Sequence, residues 1–213
     1  MLSITKEQIA QLPVITYNGR AILINSIGDA RAAIKYLNKQ SIVGFDTETR
    51  PSFKKGQLHK VALMQLSTAD ECFLFRLNHL GLFDELKEFL SNESIIKVGL
   101  SIKDDFHSLN RLGPIEPAGF VELQSHVKNF EIADNSLQKI FAIIFNERIS
   151  KTQRLTNWEA EVLTEAQQAY AALDAWACLK IYNYLNEGRF DPSKSPYIAV
   201  LQESESTINQ TEE

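Results

Sequence analysis

Three short segments carry residues whose types and spacing could do chemistry. The first is VGFDTET (43–49), an apolar run that ends in Asp46 and Glu48. Residues i and i+2 of a strand share a side, so these two acids project together while Phe45 and Thr47 face the other way. Carboxylates held this close either share a proton or surround a cation. The second segment, VGLSIKDDFHSL, places Asp104 and Asp105 at the start of an expected helix. Aspartates there are favoured by the helix dipole, so capping accounts for one of them. The third, YAALDAWACLKIY, sets Tyr170 and Asp174 four apart on one helical face. Taken singly, each segment also has a plain structural reading as a strand end, a helix cap or a packed amphipathic face.

The elements that must position these residues follow from periodicity. GDARAAIKYLNK (28–39) predicts a helix with Asp29 as its cap, and SIVGFDTE (41–48) a strand. HKVALMQLST and ECFLFRL are two more strands joined by a turn at 68–70, which with the first make an antiparallel meander. LFDELKEFL reads as an amphipathic helix, SIIKVGL as a buried strand, DDFHSLNRLG as a helix stopped by Gly113-Pro114, and GFVELQ as a fifth strand. An Asn135/Gln138 pair resembles a capping box ahead of LQKIFAIIF. Thr164 and Gln167 open a long final helix that Gly188 closes. The result is an α/β sandwich around a mixed sheet of about five strands, the meander plus parallel strands. The expected folded domain spans 1–190, followed by an acidic, disordered tail over 191–213.

Composition sets the class. The chain has 213 residues, 44% of them apolar and 23% charged, which suits one globular domain. Its two cysteines, Cys72 and Cys178, lack CxxC spacing, so a disulfide framework is not expected. With no signal-like N-terminus and no apolar run near ~20 residues, the expectation is a cytoplasmic protein with no membrane partner. The net charge of −5 argues at first against nucleic acid. Four acids without a base crowd into the last twelve residues, however, leaving the remainder near neutral. Within it RPSFKKGQLHK (50–60) holds four bases and no acid, and KIFAIIFNERISKTQR (139–154) holds four bases and one acid.

The ordered set Asp46-x-Glu48, Asp105, Tyr170-x-x-x-Asp174 resembles the DEDD superfamily of 3'-5' exonucleases in its tyrosine-bearing branch. The likeness is greatest to Werner-type exonuclease domains and more distant to ribonuclease D. It covers about Ile22 to Leu185 through GFDTE with KVALMQLS, VGLSIKDD with Leu109, and RLTNWEAEVLTEAQQAYAALDAWACLKIY. Register from Gly99 and the apolar Leu109 favour Asp105 for the superfamily's second motif, with Asp104 as the alternative. The resemblance implies a ribonuclease H-like fold and cleavage at nucleic-acid 3' ends with release of nucleoside 5'-monophosphates. It implies two divalent ions, Mg²⁺ or Mn²⁺, held by Asp46, Glu48, Asp105 and Asp174, with Tyr170 orienting the attacking water. Candidate substrate contacts are Thr47, Thr49, Arg50, Lys54, Lys55, His107 and the Asn157-Trp158 lead-in; the residues name no protein partner. The sequence ends soon after the third motif, without the further helical domains of ribonuclease D, which tilts the expectation from RNA toward DNA. A rival reading is an inactive exonuclease-like scaffold or nucleic-acid-binding protein. Such a chain would be expected to lose one or more acids, and this one has all four.

Overall fold

The computed structural model describes residues 1–54 and 56–198. In chain order its elements are α1 (Lys6–Ala10), β1 (Arg20–Ile24), α2 (Ile27–Leu37), β2 (Ile42–Thr49), β3 (Val61–Ser67), β4 (Glu71–Phe75), α3 (Leu77–Leu80), α4 (Asp84–Ser91), β5 (Ile96–Gly99), α5 (Ile102–Asn110), β6 (Phe120–Glu122), α6 (Leu123–His126), α7 (Leu137–Phe145) and α8 (Glu165–Asn186). One sheet runs in the order β1-β4-β3-β2-β5-β6. The β2-β3-β4 meander is antiparallel as expected, and β1, β5 and β6 add in parallel.

The sheet has six strands rather than five. RAILI is the strand that sequence pattern did not reveal: it is short, lies at the sheet edge, and only Ile24 is fully buried, so it has neither clean alternation nor a long apolar run. β3, β4 and β5 were legible because their burial is nearly complete; every residue of β3 is buried.

Helices cover both faces. On one, Val43 and Phe45 join a core with Leu37 of α2, Phe89 of α4 and Leu109 of α5. On the other, α8 crosses the sheet and packs with α7. Gly44 makes that crossing close: a Cβ there would lie 1.9 Å from the Ala175 carbonyl oxygen of α8. Since Gly44, Asp46 and Glu48 share a strand face, the acids of β2 are turned toward α8 as well.

Two expected caps are corrected. Ser26, not Asp29, caps α2; its hydroxyl accepts from the Asp29 N–H and donates to the Asp29 carboxylate. Ser136, not Asn135, caps α7, and Gln138 instead donates to the Ile149 carbonyl. The Thr164/Gln167 capping box of α8 is present in full. The tail was expected from residue 191, but the chain stays packed to 198. There Tyr197 is 8% exposed and donates to Asn146, and Ile198 bridges to Leu2. The rest of the expected tail lies outside the described residues. Among the described residues, no helix is long and apolar enough to cross a membrane.

Candidate active site

Strand β2 supplies Asp46 and Glu48, and α8 supplies Asp174 next to the Ala175 carbonyl that rests on Gly44. One carboxylate oxygen from each of these three acids lies within 4.8 Å of the others. Asp174 is 9% exposed, and its Oδ1 has no hydrogen-bond partner among the described residues. None of the three acids, nor Asp105, makes a salt bridge among the described residues.

Asp105 approaches from the opposite side of β2. The start of α5 is pinned by the Glu122 carboxylate, which accepts from the N–H groups of Ser101 and Ile102 at 3.0 and 2.9 Å. Ser101 takes a left-handed conformation (φ 62°) to make that corner. The first turn of α5 then presents Asp105 to the Thr47 hydroxyl, which donates to its carboxylate. Asp104 is exposed, whereas Asp105 is half-buried.

Burial is the main electrostatic fact of the site. It raises Asp46 well above the carboxylate range, and the charges of Asp105, Glu48 and Asp174 add to it. Glu48 is pushed up to about 9 by burial and then by Asp174 and Asp105, against a smaller pull from Arg154. Burial takes Asp174 to about 7, opposed by the Tyr170 hydroxyl, Lys151 and Arg154. It likewise takes Asp105 to about 7, opposed by the Thr47 hydroxyl. Tyr170 is raised by burial and by the neighbouring acids, so its phenol stays protonated at neutral pH.

These shifts predict how stability varies with pH. Each of these acids keeps its proton in the folded chain at pH values where the unfolded chain, with carboxylates near ~4, has released it. The unfolded state therefore binds fewer protons, and stability falls as pH rises from ~4 toward the folded values of about 7 to 9. In EDTA the melting temperature is expected to drop from pH 5.5 to pH 9 in a thermal-denaturation series. A flat or rising profile would mean that the acids are solvated.

The expected substrate residues separate into groups. Thr47 is engaged with Asp105, and Thr49 ends β2 just past a register irregularity at Glu48/Thr49. Arg50, Lys54 and Asn157 line a cleft of about 370 Å³ with Phe53 and Leu155. Arg50 is ion-paired with Glu159 at 3.2 Å, and Glu159 also meets His59 at 3.1 Å. His107 is exposed on α5, and Lys55 lies outside the described residues. Trp158 is corrected: at 0% exposure it cannot stack on a substrate, because α8 and the loop before it close over the ring. It packs instead beside Tyr170, ring centroids 6.1 Å apart. Lys151 and Arg154 were missed as site residues. They line a second cleft, of about 410 Å³, together with Tyr170 and Asp174. The only signal in the sequence was the basic patch over 139–154, whose other bases turn elsewhere: Lys139 to Asp134 and Arg148 to the Leu12 carbonyl.

A family model for the 3'-5' exonuclease matches residues 22–188. The chain belongs to the 3'-5' exonuclease family. The bifunctional 3'-5' exonuclease/ATP-dependent helicase WRN of Mus musculus is 35% identical over 155 residues, which are 70% of this chain and 11% of that protein. The chain thus spans about a tenth of that relative's length. The EXO domain of Aedes aegypti Nibbler superposes with a TM-score of 0.73 at 22% identity, covering 84% of this chain and 96% of that one. Escherichia coli RNase D superposes with a TM-score of 0.69 at 22% identity, covering 80% and 45%. The mixed sheet flanked by helices is the ribonuclease H-like fold of these exonucleases. Membership in the DEDD superfamily follows from the family.

Proposed function

We propose that this exonuclease removes nucleoside 5'-monophosphates from nucleic-acid 3' ends, with Asp46, Glu48, Asp105 and Asp174 holding two divalent cations, Mg²⁺ or Mn²⁺. The observation that carries the reading is the convergence of Asp46, Glu48 and Asp174 within 4.8 Å, around a buried Asp174 oxygen that has no partner among the described residues. An all-carboxylate donor set suits a hard cation, and none of these acids makes a salt bridge among the described residues. When bound, such cations stabilise charge on the phosphoryl and leaving oxygens and acidify water at neutral pH.

The chain's own groups do the rest. Asp46, Glu48 and Asp174 converge and would hold cations between them, and Asp105, held by the Thr47 hydroxyl, would complete the donor set. Tyr170 keeps its proton and can donate from its hydroxyl toward the reacting centre, a positioning role that supports assignment to the tyrosine-bearing branch. Lys151 and Arg154 line the same cleft and attract the phosphate backbone. Tyr170→Phe is expected to slow cleavage by roughly 10- to 100-fold and to leave the Mn²⁺-induced thermal shift unchanged. Full activity in that variant would remove Tyr170 from the mechanism.

The reading keeps DNA ahead of RNA only as the expectation carried by the resemblance of the three motifs to Werner-type domains. E. coli RNase D is described as an exoribonuclease involved in structured RNA processing, but at 22% identity its likeness concerns the fold. One assay tests function and polymer together: purified protein with Mg²⁺ or Mn²⁺ and 5'-labelled recessed duplex DNA, single-stranded DNA and RNA. The expected product is a ladder shortening from the 3' end, fastest on DNA. Internal cuts would overturn the exonuclease mechanism, and faster RNA decay would reverse the polymer preference.

A further inference from the structure

Gln65 is fully buried in the middle of β3, and neither its amide nitrogen nor its amide oxygen has a hydrogen-bond partner among the described residues. Its surroundings make this unusual. The layer that α8 forms on this side of β3 and β4 includes Leu63, Leu74, Ala171 and Ala175. A leucine would fill the place at no polar cost, whereas a buried amide without partners costs ~1–3 kcal/mol for each unsatisfied group. Gln65 is also the residue registered directly across from Asp46 in the β2–β3 ladder. Cross-strand partners share a face with Cβ atoms ~4.5–5.5 Å apart, within reach of an amide on a flexible two-carbon stem.

We propose that Gln65 is a positioning residue for Asp46. Its amide N–H₂ donates to the outer face of the Asp46 carboxylate once that acid is ionised around a cation, and this fixes the rotamer that points the inner oxygens at Glu48 and Asp174. In the metal-free chain the amide is unpaired among the described residues, so its cost falls there and is recovered on binding. Partners behind a ligand that orient it in this way typically alter metal affinity by ~10- to 100-fold. The inference rests on Asp46 being a metal ligand, as argued above.

Gln65→Met keeps the shape and removes the amide, and Gln65→Leu offers a second apolar volume should methionine disturb the layer. Two readouts are taken on the 213-residue chain: the melting temperature in EDTA, and Mn²⁺ affinity from calorimetric titration without nucleic acid. The expected result is a melting temperature equal to or above wild type, with Mn²⁺ affinity lowered 10- to 100-fold. Wild-type Mn²⁺ affinity in a folded variant overturns the proposal. So does a lowered melting temperature with unchanged affinity, which marks Gln65 as a structural amide only. Wild-type protein that takes up no Mn²⁺ overturns the metal reading itself, and the proposal with it.

Discussion

Asp46→Ala is expected to abolish 3'-end cleavage while raising the melting temperature of the metal-free protein. The loss of activity follows from geometry: Asp46 is the acid that meets Glu48 along β2 and Asp174 across from α8, so its removal opens the cluster from both sides. If cation stabilisation of the transition state is worth several kcal/mol, at ~1.4 kcal/mol per decade the rate falls at least ~10³-fold. The gain in stability follows from electrostatics. Asp46 is held against burial and against the charges of Asp105, Glu48 and Asp174, and its removal lifts that cost from the metal-free protein. Relief of even ~1 kcal/mol moves the midpoint of a chain this size by about 2–4 °C. The same variant should lose most of the Mn²⁺-induced thermal shift. Residual ladder formation within tenfold of wild type, or a lower melting temperature in EDTA with the shift intact, would separate Asp46 from the metal site.

This opposition between stability and activity explains why the acids were so legible in the sequence. Placing Asp46 two residues after Gly44, inside a run as apolar as VGF, has no use in packing, so the acids stand out against the pattern around them. Asp174 is equally conspicuous among the alanines and leucines of α8. What the pattern could not reveal depends on long-range contacts. Thr47 looked like a flank of the motif, but its hydroxyl serves Asp105, a residue 58 positions away. Trp158 looked like an aromatic available to substrate, and only the path of the loop into α8 shows it sealed beneath Tyr170. Lys151 and Arg154 sat in a patch whose four bases are equivalent by composition. Only the fold shows which two face the acids. Strand β1 was hidden for a related reason: its pairing is with β4, in parallel, from a segment about 50 residues earlier.

Gly44→Ala should be nearly as damaging as loss of an acid, although it touches no ligand. A methyl group at Gly44 would lie 1.9 Å from the Ala175 oxygen, 2.8 Å from its carbonyl carbon and 3.2 Å from the Leu179 Cβ. The first two obstacles are helix backbone, so no rotamer change relieves them; α8 must retreat from β2 by about an ångström, well short of accommodation without strain. Overpacking of this kind costs ~1–3 kcal/mol, a fall of about 5 °C for a chain of this length. The functional cost is larger, because Asp174 precedes Ala175 and moves with it, and a 1 Å misplacement of a catalytic group can cost ~10²-fold. Gly28→Ala provides the contrast. There the new Cβ meets only the Ser26 hydroxyl, at 3.9 Å, in the first turn of α2, and helix propensity favours the change by up to ~1 kcal/mol. Turnover on a labelled oligonucleotide and thermal denaturation, measured for both variants, should separate them cleanly. A Gly44→Ala protein with wild-type turnover would show that the close crossing of α8 over β2 is not what brings Asp174 to Asp46 and Glu48.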